Sequence, residues 1–189
     1  MFHDLDTTLA ELLRTQLPTD VVEQVTISFA TPVSGSLPST VALPALNLFL
    51  YQIEENLDLR SNEALIQRMQ DGTVKKGSIV RRVDCNYLIT AWAKDSVSLP
   101  DQDEHRLLGE VVRVLLRFKE LPAAVLRGSM VDQPLAPRGS IFQINQQARG
   151  DFWRALGEKP KAAFNYVVTI AIEIDDTKET GRVGTSFSI

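Results

Sequence analysis

The chain of 189 residues carries 20 Lys and Arg against 24 Asp and Glu, a net charge of −4, and 44% of its residues are hydrophobic. This composition predicts one globular domain with its own core and argues against a large phosphate-binding surface. The single cysteine, Cys85, excludes an internal disulfide. The N-terminus lacks the features of a signal peptide and no apolar run approaches the ~18 residues of a membrane span, so we expect synthesis and assembly in the cytoplasm.

Periodic apolar residues predict the first elements in chain order. A helix over residues 4–16 repeats Leu at spacings of three and four; Asp4 or Asp6 is its expected cap, and Thr8 and Glu11 have capping-box spacing. Strands follow at 25–29, 45–55 and 83–93. The last two are apolar on both faces, which is typical of central, covered strands.

The C-terminal half begins with a second long helix, predicted at 103–119 with Asp101 or Asp103 as its cap. A short strand at 141–144, a short helix at 150–156 and a long strand at 164–174 complete the order. The connections at 30–44, 56–79 and 120–138 are unusually long. Loops beyond about 12 to 15 residues are uncommon in compact domains unless they bind something, so we expect large interaction surfaces.

Few residues have the arrangement that catalysis or metal binding requires. Cys85 falls in an apolar strand, where burial is the ordinary outcome, and His105 falls on a helix surface, so they do not form a convincing nucleophilic pair. No cluster has metal-ligand spacing and no glycine-rich loop has a phosphate-binding pattern. The sequence therefore predicts no enzyme, no cofactor and no small-molecule substrate. Glu54 and Glu55 point to opposite faces of a strand, and a salt bridge, for instance to Arg60, is their expected role.

A basic cluster at residues 75–82 contains Lys75, Lys76, Arg81 and Arg82. Four cations in eight residues suggest a nucleic-acid-binding hairpin. The cluster has no interleaved aromatic residues and the chain is acidic overall, which favours a solvated hairpin or a salt-bridging protein interface instead.

The C-terminal tail joins a polar tether to a short alternating segment. Val183, Thr185, Phe187 and Ile189 would share one face of a strand, the form taken by segments that add to a sheet edge. Seven tether residues reach at most about 25 Å, so this strand could dock on its own domain or on a neighbour. The alternative is a frayed terminus.

Five blocks of sequence carry a family resemblance. They are FHDLD at 2–6, PALNLFLYQIEEN at 44–56 followed by Arg60, DCNYLITAWA at 84–93, EHRLLG at 104–109 and FWRAL at 152–156. In this order and spacing they resemble the cap, or tail-terminator, proteins of phage-tail-like contractile injection systems. The resemblance covers most of residues 1–175.

The resemblance implies a structural protein that forms a hexameric ring at the baseplate-distal end of the particle and terminates polymerisation of the inner tube and sheath. Its implied partners are further copies of the chain and the terminal sheath and tube subunits. Some relatives continue into a further C-terminal region, so a paralogous cap subunit is an alternative to a sole cap. No catalytic residue comes with the family.

The combined prediction is a single α/β (α+β) domain with a central mixed, largely antiparallel sheet flanked by two main helices. This tail-terminator-like domain would cover residues 1–175, and the tail would cover 176–189. The predicted assembly contacts are Lys75, Lys76, Arg81, Arg82, Val183, Phe187 and Ile189. The competing function is a small nucleic-acid-binding α/β module that uses the basic cluster.

Overall fold

The computed structural model describes residues 1–33, 36–60, 64–68, 74–94, 96–142 and 161–174, and for 64–68 and 74–78 it describes the backbone. Within these ranges the helices are α1 (Phe2–Gln16), α2 (Thr19–Val22) and α3 (Pro100–Arg117). The strands are β1 (Thr26–Ser28), β2 (Ala45–Glu55), β3 (Ala64–Arg68), β4 (Val74–Trp92), β5 (Arg138–Phe142) and β6 (Ala163–Glu173). Two short 3-10 turns lie at Ala123–Val125 and Gly128–Met130.

The sheet has the strand order β1-β2-β4-β6-β5, and β3 pairs with β4 off this path. The β1–β2 pair is parallel and the other pairs are antiparallel. This arrangement confirms the predicted α/β (α+β) fold with a mixed, largely antiparallel sheet and two main helices. The strand predicted at 45–55 is confirmed residue for residue, and both strands predicted to be central lie inside the sheet.

The core lies between one face of the sheet and the helices α1 and α3. Leucines of α1 and the apolar stripe of α3 pack against alternate residues of β2, β4 and β6. The largest fully buried side chains include Leu5, Leu9, Leu12, Leu13, Leu46, Leu48, Tyr87, Ile89, Val111, Tyr166 and Ile170. Tyr87 and Tyr166 are cross-strand partners. Gly139 of β5 leaves room for the second ring, because a Cβ there would lie 1.8 Å from the Tyr166 hydroxyl oxygen.

The opposite face of the sheet is also buried, but it is polar. Asn47, Asn86, Thr90 and Asn165 lie on this face and are each less than 9% exposed. The Asn47 amide donates to the Ala30 carbonyl at 3.0 Å. The strand pattern that predicted two covered faces is therefore right for the first part of β2 and for residues 85–91 of β4, although the second face is built largely from amides and hydroxyls. The last four residues of β2 are exposed.

The long connections are more structured than the sequence indicated. The predicted loop at 56–79 contains β3 and the beginning of β4, so that expectation is wrong. The connection at 120–138 contains the two 3-10 turns and a bridge between Glu120 and Arg138.

The predicted helix caps are also wrong. The N-cap residues are Met1 for α1 and Leu99 for α3, and neither makes a side-chain capping bond. Thr8 and Glu11 lie inside α1 and bind Arg127 instead: the Thr8 hydroxyl accepts from its backbone N–H, and the Glu11 carboxylate pairs with its guanidinium, each at 2.9 Å. The predicted capping box is thus a pair of anchors for the connection at 120–138.

Three predicted features fall partly or wholly outside the described residues. The strand predicted at 141–144 begins earlier, at Arg138, and its last two residues are outside the described ranges. The predicted helix at 150–156 and the tail at 176–189 also lie outside them.

Candidate assembly surfaces

One end of the sheet extends past the main core cluster as an arm. The β4 residues of the main core cluster run from Cys85 to Ala91, and Val80 is buried outside that cluster. Ile53 of β2 and Ile174 after β6 are 46% and 52% exposed. We use the name basic arm for β3 together with residues 74–82 of β4. The arm is held to the sheet through the β4–β6 ladder and through the Asn56 N–H, which donates to the Arg82 carbonyl at 2.9 Å.

The basic arm contains five cations and, within its described residues, no carboxylate. Arg68, Lys75 and Lys76 lie in the β3–β4 ladder, where Lys75 is opposite Gln67. Arg81 and Arg82 lie closer to the domain and alternate between the two faces of β4. The sequence grouped four of these cations together, and the structure divides them into an outer lysine pair and an inner arginine pair.

The inner arginines have neighbours within the domain. The Arg81 Nε lies 3.5 Å from the Glu55 carboxylate, and the same carboxylate oxygen lies 3.3 Å from the Arg60 Nε, so the predicted Glu55–Arg60 salt bridge is confirmed. Burial lowers the pKa of Arg82, and the nearby charge of Arg138 lowers it further. Arg81 therefore stabilises the base of the arm, while Lys75 and Lys76 lie further along the strand, near its beginning.

A hydrogen-bonded network on the polar face joins three strands at this base. The Asp84 carboxylate accepts from Asn56 Nδ2 at 2.9 Å and from the Thr169 hydroxyl at 2.6 Å. Asn86 Nδ2 donates to Glu54 Oε1 at 3.3 Å. Glu54 and Glu55 thus serve separate networks on opposite faces, as their adjacent strand positions predict.

A groove of about 370 Å³ lies at the other end of the sheet. It is lined by residues of α2, the entry to β2, the exit of β4 and α3. The lining includes the apolar residues Val21, Val25, Pro44, Trp92 and Leu107, the carboxylates Asp20, Asp103, Glu104 and Glu110, and the cations Lys94 and Arg106. No pattern in the sequence pointed to this groove, since its residues come from four separate segments.

Glu104 is the most buried charge of the groove. Its carboxylate accepts from the Ala93 backbone N–H at 3.0 Å and forms a salt bridge with Lys161, whose ammonium lies 4.5 Å from the centre of the Trp92 ring. Glu110 pairs with Arg113 at 3.3 Å. Asp20 and Asp103 are exposed and form no ion pair within the described part of the chain, so their charges face solvent.

The residues considered for catalysis occupy the places that the sequence predicted. Cys85 is buried in β4, and burial together with the charges of Asp84 and Asp6 raises the pKa of its thiol to about 12. His105 is exposed on α3. A thiol that stays protonated near neutral pH is a poor nucleophile. Across the described ranges, no group of three or more His, Cys, Asp or Glu residues is placed to hold a metal ion.

Of the predicted assembly contacts, the structure describes Lys75 and Lys76 by their backbone, and Arg81 and Arg82 in full. The tail contacts Val183, Phe187 and Ile189 lie outside its described ranges. Among the described helices, none combines the length and the apolarity of a membrane span.

Comparison with known proteins identifies the type of domain. The chain resembles the sheath/tube terminator of the extracellular contractile injection system PVC, solved in its extended state, with a TM-score of 0.69 and 22% identity over 100% of this chain and 62% of that one. It also resembles the tube-terminating cap of the anti-feeding prophage, with a TM-score of 0.66 and 25% identity over 98% of this chain and 59% of that one. The chain thus has the fold of a tail terminator and spans about 60% of the length of these two proteins.

The sequence itself matches a family model. Residues 4–185 match the model described as the Pvc16 N-terminal domain, and the chain belongs to this family. No curated protein matches this sequence. The family resemblance drawn from the five sequence blocks is confirmed.

Proposed function

We propose that this chain is a cap subunit of a contractile injection system. In this proposal, six copies form a ring at the baseplate-distal end, where the ring stops polymerisation of the inner tube and the sheath. The observation that carries the proposal is the family match over residues 4–185, together with the likeness to two tube terminators over practically the whole chain.

The proposed contacts of the cap are the basic arm and the tail. Lys75, Lys76, Arg81 and Arg82 would face acidic surfaces of neighbouring cap, tube or sheath subunits, and the alternation of residues 183–189 suits addition to a sheet edge of an adjacent subunit. Residues 1–175 would form the ring body. A paralogous cap subunit that shares this end of the particle is a further partner to test.

Removal of the chain from a producing strain tests the cap role directly. Particles assembled without it should have tubes of uncontrolled length or unstable distal ends under electron microscopy, and the complete chain supplied from a plasmid should restore uniform tubes. Tubes of normal length with an intact distal end in its absence would refute the proposal.

Substitutions on the two faces of the predicted tail strand test the tail contact. Truncation after Asp176, or the pair Phe187→Ser and Ile189→Ser, should give uncapped tubes because the apolar face of the strand is lost. The matched pair Ser186→Ala and Ser188→Ala changes the other face and should leave capping intact. Normal caps on particles made with the truncated chain would contradict the tail contact.

The competing nucleic-acid function makes a different prediction. A basic-arm nucleic-acid site would give an affinity for DNA or RNA that falls steeply with salt. The cap proposal predicts co-purification with tube and sheath subunits in particles treated with nuclease.

A further inference from the structure

Charge is distributed unevenly along this chain. Residues 61–82, which include the basic arm, contain five Lys and Arg against Glu63 and Asp71. The rest of the chain therefore holds 15 Lys and Arg against 22 Asp and Glu, a net charge of −7. A basic arm on an acidic body favours contact between the arm of one molecule and the body of another.

The groove at the end of β4 is a concave feature of this body that has exposed carboxylates at its border. Four carboxylates and two cations line it. Glu104 is paired with Lys161 and Glu110 with Arg113, whereas the exposed Asp20 and Asp103 form no ion pair with a described residue. The partly exposed Val21, Val25 and Val97 add apolar surface that the stems of long basic side chains can cover. Its volume of about 370 Å³ suits a few side chains rather than a folded domain.

The arm of a molecule cannot fill its own groove. Lys76 lies near the beginning of β4, and the groove begins at Trp92, the last residue of the same strand. A strand rises about 3.3 Å per residue, which separates the two sites by about 50 Å. The arm and the groove therefore lie at opposite ends of the domain, and a contact between them has to join two molecules.

We propose that the basic arm of one copy, through Lys75 and Lys76, docks in the groove bounded by Asp20 and Asp103 of a second copy. A one-way contact between these two different surfaces is heterologous, and repeated contacts of this kind close into a ring when the rotation permits. This inference rests on the proposed cap function and names the surfaces that join neighbouring subunits of the ring.

Charge reversal and rescue test the contact in the complete chain. The arm variant carries Lys75→Glu and Lys76→Glu, and the groove variant carries Asp20→Lys and Asp103→Lys. Self-association is measured by sedimentation at several salt concentrations, alone and on preassembled inner tubes. Each variant should weaken association at least about tenfold, and the chain that carries all four changes should recover to within about threefold of the native chain.

Two controls separate this contact from general effects of charge and folding. Arg117→Glu with Lys119→Glu reverses two exposed cations at the far end of α3 and should leave association unchanged. Asp20→Asn with Asp103→Asn avoids the loss of helix stability that Lys would cause in the first turns of α2 and α3. This milder pair should still weaken association and reduce its dependence on salt.

The outcomes distinguish this inference from the cap function. The arm–groove contact is refuted if the groove variants self-associate normally, or if the fourfold variant self-associates no more strongly than the arm variant. If the native chain caps tubes in the same experiments, the cap function stands. If the arm variant loses DNA binding but keeps normal self-association, the contact is likewise refuted. If the native chain associates neither alone nor on tubes, both proposals fail.

Discussion

Replacement by Phe should change the free energy of unfolding in opposite directions at two buried tyrosines of the core. Tyr87 and Tyr166 are cross-strand partners, and both are 0% exposed. The Tyr87 hydroxyl donates to Asp6 Oδ1 at 2.8 Å, whereas the Tyr166 hydroxyl has no hydrogen-bond partner among the described residues. Burial raises the pKa of both phenols, so each is neutral near neutral pH.

The expected magnitudes follow from the price of an unpaired buried polar group, about 1 to 3 kcal/mol. Tyr166→Phe removes such a group and should raise the free energy of unfolding by about 1 kcal/mol. Tyr87→Phe leaves Asp6 without its donor and should lower the free energy of unfolding by about 1 to 2 kcal/mol. Each kcal/mol corresponds to roughly 2 to 4 °C in Tm for a domain of this size.

Urea unfolding of the two variants, monitored by circular dichroism, measures both changes against one native curve. Because the substitutions are chemically identical and the rings are neighbours, differences in side-chain size and unfolded-state effects largely cancel. A loss of stability in Tyr166→Phe equal to that in Tyr87→Phe would show that the Tyr166 hydroxyl has a partner, such as a bound water, and would refute the reasoning.

Three further predictions concern packing, pH and the groove. Gly139→Ala should lower the free energy of unfolding by about 1 to 3 kcal/mol, measured in urea, because its Cβ would meet the Tyr166 hydroxyl at 1.8 Å. Hydrogen bonds from Ser129 lower the pKa of Asp4 to about 2. The stabilising contribution of the Asp4 carboxylate is therefore present above about pH 4 and is lost as the pH falls towards 2. Asp4→Asn should reduce this acid dependence of Tm. Lys161→Met should lower the free energy of unfolding by about 2 kcal/mol because it leaves the Glu104 carboxylate buried without its cation, and Glu104→Gln in the same chain should recover part of that loss.

Strong periodicity made the regular elements predictable. β2 has the predicted bounds, and α1 ends at the predicted residue but begins two residues earlier. α3 begins three residues and ends two residues before its predicted bounds. The hairpin of β3 and β4 was missed because its sequence is rich in Lys, Arg, Gln, Gly and Ser, which hide the alternation of a strand. Its stability comes from the neighbouring ladders, which a local pattern does not reveal.

The candidate surfaces were predictable only in part. The cations of the basic arm are adjacent in sequence, so a charge count finds them. The groove brings Asp20, Trp92 and Asp103 together from three distant segments, and its buried Glu104 pairs with Lys161 across 57 positions of sequence. Contacts of this range depend on the topology of the sheet, which the order of elements alone does not determine.

The central claim is that this chain closes the baseplate-distal end of a contractile particle. Electron microscopy of purified particles that carry an affinity label on the chain tests it most directly. We predict label at one end only, opposite the baseplate, with sixfold density beyond the last tube and sheath rings. Label along the tube, at the baseplate, or absent from intact particles would contradict the account.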